Sequence, residues 1–290
     1  MSSSHAVGER LARESGSLAA GVESVLADAP LDGRVLLLPD CHYPYHPSTG
    51  LVTNPDVVAA AVEALDGEVV LCLPDSPWVE GERFATFLGY DDLADRLGVD
   101  VLDLSAAPTV ERVVTVGDER SRVTVPEPLE RESLLAVPTL RTDPDHGFVA
   151  GLGTTAFGAL GADAADATTT DVVGAAAVCD PDYVLLDATY TYTGGPYRAD
   201  LLLGSADAPT LDAAAARLVG EDPAEVPFLA PHGVEAPSVP GVDLDAVAAA
   251  LPSRGETGGE PSPVMQTGYR IYSRVTGDLL PPHFMGGADE

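Results

Sequence analysis

The chain has 290 residues, with 15 basic and 46 acidic side chains and a formal net charge of −31, and every basic residue is Arg. The absence of Lys excludes a phosphate-binding P-loop and any Schiff-base enzyme, pyridoxal phosphate enzymes included, because both need the amine. A phosphate backbone needs clustered cations, and the nearest approach here, Arg112, Arg120 and Arg122, is interrupted by Glu111, Asp118 and Glu119, so nucleic acid is not expected as a partner.

In chain order, Val7 to Leu26 has helix-like spacing of Leu11, Leu18, Val22 and Val25 and predicts an N-terminal helix within a segment 1–33. Five apolar runs then read as buried strands: 34–39, 68–74, 99–104, 133–138 and 182–188. Their hydrophobicity is continuous, as in strands covered on both faces of a parallel sheet. A helix starts at Asn54 as N-cap with Pro55 behind it, and others are predicted over 91–98 and 210–220. Residues 110–128 alternate like an antiparallel hairpin turning at Gly117-Asp118. The pattern predicts an α/β domain over 34–251, a mostly parallel, doubly wound sheet with an antiparallel hairpin insertion. A Gly- and Pro-rich linker follows over 252–265, then a last strand and tail over 266–290.

No stretch has the apolar length of a membrane span, and the N-terminus lacks the apolar core of a signal peptide. Cys41, Cys72 and Cys179 are odd in number and widely spaced, as expected in a reducing cytoplasm. They cannot supply the four thiolates of an iron–sulfur cluster. No G-x-S-x-G elbow occurs, which argues against an α/β-hydrolase. GLGTTA (151–156) fits G-x-G-x-x-A, but only HGFVA precedes it, so a dinucleotide site is not expected there.

The acidic residues are spread along the whole chain, which suits a high-salt cytoplasm. The Debye length is about 3 Å at 1 M salt and about 10 Å at 0.1 M, so self-repulsion grows on dilution. The melting temperature is expected to be lower in roughly 0.1 M than in roughly 3 M potassium chloride, values chosen to span that range. Equal melting temperatures would contradict the adaptation.

Three constellations could carry chemistry at strand ends, where ligands bind in open α/β sheets. The segment after the first strand holds Asp40, Cys41, His42 and His46, with Cys41, His42 and His46 as candidate ligands of a divalent metal. A loop after the fourth strand (137–148) carries Arg141, a fork for a carboxylate or phosphate, beside Thr142, Asp143 and His146. In the third, Asp187 ends a strand, Gly194 and Gly195 form a turn whose backbone could approach a ligand, and Asp207 and Asp212 lie at the next helix. Gly194, Gly195, Asp207 and Asp212 are the candidate cofactor-binding residues.

Taken in order, these segments resemble the domain of unknown function 362 family over roughly Arg34 to Gly241. The resemblance rests on Thr53 to Val58 for its T-N-P-x-V-V helix start, PDSP (74–77), PTLRTD (138–143) for P-x-L-K-T-H, and TTAFG (154–158). It continues through Asp187-Ala188, Gly194 to Pro196, and the helix from Ala206 to Gly220. Thr139 and Asp143 stand where that family has a second basic residue and a His. The iron–sulfur module of many members has no counterpart here. The resemblance implies a fold and a pocket more than a reaction. The expectation is an enzyme acting on a small anionic metabolite, with Arg141 and the Gly194–Gly195 turn binding the anion and Asp187 or His42 moving a proton. The alternative is a non-catalytic binding or accessory protein on the same scaffold.

Overall fold

A computed structural model describes residues 5–12, 17–42, 47–75, 85–86, 88–116, 119–143, 147–235 and 237–252. The predicted linker and final strand, His46, His146 and the Gly117-Asp118 turn lie outside the described residues.

The fold is α/β, built on a nine-stranded sheet. Its strands are β1 (Val7–Arg10), β2 (Arg34–Pro39), β3 (Glu68–Leu73), β4 (Asp100–Asp103), β7 (Ser133–Val137), β8 (Thr139–Asp143), β9 (Gly147–Val149), β10 (Tyr183–Tyr192) and β11 (Pro196–Ser205). The order is β1-β11-β10-β7-β2-β3-β4, with β8 paired to β10 and β9 to β8. From β10 to β4 every neighbour is parallel, while β11 and β1 close one edge antiparallel. The predicted hairpin is a separate two-stranded sheet, β5 (Thr109–Val116) with β6 (Glu119–Pro126).

Parallel strands need crossovers, and these cover both faces. The helices are α1 (Ser17–Leu26), α2 (Pro55–Ala64), α3 (Tyr90–Leu97), α4 (Glu127–Arg131), α5 (Gly151–Leu160), α6 (Thr169–Val178), α7 (Ala208–Val219) and α8 (Leu244–Ala248). Val35 and Leu37 of β2 pack with Val22, Val58 and Leu93 from α1, α2 and α3. The alternate residues Leu36 and Leu38 pack on the other face with Ala156, Phe157, Ala175 and Leu211 from α5, α6 and α7. Strand alternation thus divides one continuous apolar run between two cores. Asn54 caps α2 by accepting from the Asp56 amide, with Pro55 behind it.

Of the predicted helix over Val7–Leu26, Ser17–Leu26 forms α1, whereas Val7–Arg10 is a strand. Val7–Arg10 pairs antiparallel with Leu201–Gly204 of β11, since the free sheet edge offers hydrogen bonds that local spacing cannot announce. The predicted loop 137–148 is also largely strand. After Pro138 the chain resumes as β8, parallel to the extended end of β10, and β9 pairs antiparallel with it. The turn expected at Gly194 and Gly195 closes the β10–β11 hairpin, in which Tyr192 pairs with Pro196.

Candidate functional site

The parallel strands deliver their carboxyl ends to one edge, and the polar residues gather there. Beyond β2, the Asp40 amide donates to the Val137 carbonyl (3.1 Å) and to Thr53 Oγ1 (2.8 Å), while the Thr53 amide donates to the Asp40 carbonyl (2.9 Å). The next residue, Asn54, donates its amide to Asp187 Oδ2 on β10 (2.8 Å). The Thr53-Asn54 dipeptide at the start of α2 therefore links Asp40, just past β2, to Asp187, which lies within β10 rather than ending a strand as its sequence suggested, because pairing with β11 extends the strand to Tyr192. Gly50 allows this segment to lie against β10. It has φ +72°, and a Cβ there would fall 2.3 Å from the Thr191 carbonyl carbon.

Asp40 is wholly buried, and His42 and Arg141 are 4% and 2% exposed. Arg141 Nε donates to Asp40 Oδ2 (3.1 Å) and its Nη1 to Asp143 Oδ2 (3.2 Å). Burial alone would raise the Asp40 pKa, but the Arg141 charge and then the His42 contacts outweigh it and hold it below the usual carboxylate value. An ionised carboxylate only accepts, so His42 Nδ1–H is the donor to Asp40 Oδ1 (3.1 Å). That fixes the ring and leaves Nε2, buried and without a partner, as its working nitrogen. The ring stands edge-on to Phe157 of α5, centroids 5.3 Å apart.

Asp187 is the second group of interest. It accepts from the Thr189 amide (2.8 Å), the Thr189 hydroxyl (2.6 Å) and the Asn54 amide. Burial nonetheless pushes its pKa up to about 6, in the range of a proton-transfer group at neutral pH. On the strand register, Thr139 is opposite Asp187 and Arg141 opposite Tyr192.

The remaining candidates are placed differently. Cys41 belongs to the core under α1 and α2, whereas His42 meets Phe157 of the opposite core. Burial, with Asp40 and Cys72 adding to it, raises the Cys41 thiol well above its ordinary pKa. Among the described residues no group of three or more His, Cys, Asp or Glu could hold a metal ion. Arg141, expected to bind an anion, is engaged by Asp40 and Asp143. Gly194 and Gly195 sit at the tip of the β10–β11 hairpin, past Tyr192, where Gly194 has φ +106°. Asp207 is the N-cap of α7 and accepts from the Thr210 hydroxyl.

Asp212 is wholly buried and accepts from the amides of Gly151 (2.7 Å) and Leu152 (2.9 Å). A strand, β9, does precede GLGTTA, but the helix N-terminus where a pyrophosphate would sit is already filled by this carboxylate. Sequence reasoning gave neither Thr53 nor Thr154 a part in the site, although both lie in segments that carry the family resemblance. The T-N-P motif drew attention to Asn54 as a cap, and nothing local signals that the preceding hydroxyl bonds to a strand 84 residues away.

No helix among the described residues is long and apolar enough to cross a membrane. Comparison with curated proteins finds no match. A family model does match, over residues 35–217. That span contains β2, Asp40, His42, Arg141, Asp187, Asp212 and nearly all of α7, more than half of the chain. The chain belongs to the domain of unknown function family DUF362.

Proposed function

We propose that this chain is a cytoplasmic enzyme acting on a small anionic metabolite at the carboxyl edge of the sheet, with His42 as the group that moves a proton. One observation carries the reading: a buried imidazole whose Nδ1 is held by an ionised carboxylate and whose Nε2 has no protein partner. Such an arrangement orients a proton carrier, as the acid does in a Ser-His-Asp triad. Arg141 keeps Asp40 ionised in a dry setting and is a positioning residue rather than the anion's ligand. A doubly protonated ring would offer Nε2–H to a carboxylate or phosphate oxygen of the substrate. Asp187, on β10, is the candidate for a second proton transfer.

The three described cysteines are buried free thiols, which suits a reducing compartment. Of the ligands expected for a divalent ion, His42 alone among the described residues presents an unpartnered nitrogen, and elemental analysis of untagged protein tests that expectation.

The test is turnover. Incubation of the full chain with a panel of small acids in deuterated buffer at molar salt, read by mass spectrometry, should show product or deuterium incorporation. His42→Gln should lower it about 10²- to 10⁴-fold, the usual size of a general acid–base contribution, with the melting temperature little changed. Equal rates in wild type and variant would end the proton-transfer reading. The second reading, a non-catalytic accessory protein, is favoured by the two groups used internally: the Arg141 fork and the amides at the start of α5. It predicts binding of a small acid without turnover.

A further inference from the structure

Two buried side-chain polar atoms among the described residues have no hydrogen-bond partner: His42 Nε2 and Thr154 Oγ1. Buried polar groups are nearly always satisfied, so each such atom points to something that occupies the space beside it. Thr154 belongs to α5, and His42 meets the same helix at Phe157. Gly151, Thr154 and Gly158 follow one side of that helix at i, i+3 and i+7. A Cβ at Gly151 would meet Val184 of β10, and one at Gly158 would meet Leu38 of β2. Thr154 lies between them and faces the sheet over β7, the strand that separates β10 from β2. Phe157, one turn beyond Thr154, is the residue that His42 meets edge-on.

The adjacent Thr155 supplies a control. Its hydroxyl donates back to the Gly151 carbonyl at 2.8 Å, the usual escape for a buried Thr in a helix. Thr154 does not take that escape, although its own amide bonds the Ala150 carbonyl.

We propose that Thr154 and His42 together bind the oxygen of an O–H group, that of a substrate alcohol or a water. This rests on the reading of His42 as the proton carrier and adds the atom that exchanges the proton. The O–H bond breaks as Nε2–H forms, which leaves an imidazolium beside ionised Asp40 and an alkoxide or hydroxide that accepts a hydrogen bond from the Thr154 hydroxyl. Charge is conserved, and no other reactant is needed for the step.

The site is tested without an activity assay. Crystals of the full chain, grown in alcohol-free solution and soaked in parallel with ethylene glycol as the probe, should show an oxygen within hydrogen-bond reach of both His42 Nε2 and Thr154 Oγ1. Glycol oxygen at that point identifies a site open to alcohols, and water in both crystals identifies a bound nucleophile or a hydration site reserved for water. Thr154→Val should remove the bridging oxygen and shift the His42 Nε2 resonance in nitrogen-15 spectra, although the two side chains do not bond each other. Thr154→Ser should retain both. Wild-type crystals with no bridging oxygen, or an unmoved resonance in folded Thr154→Val, overturn the proposal. Should Thr154→Val fail to fold, the wild-type density and the serine variant still decide it. A bridging oxygen with no turnover would keep this site and sink the proton-transfer reading. His42-dependent turnover without such an oxygen would do the reverse.

Discussion

Arg141→Met is expected to cost about 3–5 kcal/mol of folding free energy, the size seen when one partner of a buried ion pair is removed. Asp40 would remain wholly buried, with its main charge partner gone. The pH dependence gives the expectation a sign. In the wild type the Asp40 pKa is lowered, so its contribution is present above the usual carboxylate value and is lost as pH falls through the lower folded value. In the variant the Arg141 attraction is removed and burial dominates, so folded Asp40 prefers the proton. The deficit should therefore be greatest near neutral pH and shrink toward roughly pH 4, where both states bind a proton. Urea titrations in molar potassium chloride at both pH values check this. The double variant Asp40→Asn/Arg141→Met should recover part of the loss, because no buried charge is then left unpaired. A deficit below about 1 kcal/mol would show that Arg141 behaves as a surface pair does, contrary to its burial.

The second large effect is expected at Asp212, with the opposite sign. Burial pushes its pKa up to about 7, although the Gly151 and Leu152 amides pull it down. The folded chain then holds a proton that the unfolded chain has lost, so stability declines as pH rises from about 4 to about 7 and levels off above that. At about 1.36 kcal/mol per unit, the rise accounts for roughly 4 kcal/mol across the window. Asp187, raised to about 6, acts in the same direction over a narrower range. Asp212→Asn keeps one oxygen for an amide of α5 and removes the titration. It should flatten the stability profile between about pH 4 and pH 7 relative to the wild type, while surface carboxylates contribute equally to both. A variant profile parallel to the wild type would show that Asp212 does not titrate in this range. The carboxylate accepts from the Gly151 and Leu152 amides, so its structural role is to join α7 to the start of α5.

Local pattern carried much of the fold. The apolar run of β2 has the bounds expected from sequence, and the Asn54-Pro55 start of α2 reads correctly because its capping physics is complete within three residues. The hairpin of β5 and β6 alternates as its two-faced exposure requires. What misled was pairing at a distance. Val7–Arg10 became a strand because the β11 edge was open, and Thr139–Asp143 became one because β10 extends past β7.

The sequence by itself determined the net charge of −31, the absence of Lys and an α/β sheet of buried, mostly parallel strands, since these follow from residue type and local period. It also located the polar residues at strand ends. The tertiary structure decided what each of them does. Arg141 and Asp40 are 101 residues apart and meet only because β2 and β8 end at the same edge, so a residue typed as an anion ligand became the partner of a buried carboxylate. Asp212 lies 61 residues from Gly151 and fills the helix terminus where a glycine motif of this kind holds a phosphate. Cys41 and His42 are neighbours in the chain but belong to opposite cores, because a strand end sends successive side chains to opposite faces. Hydrogen-bond satisfaction is a property of the assembled interior, and the unpartnered Nε2 of His42 becomes visible only once the partners of the surrounding buried groups are known.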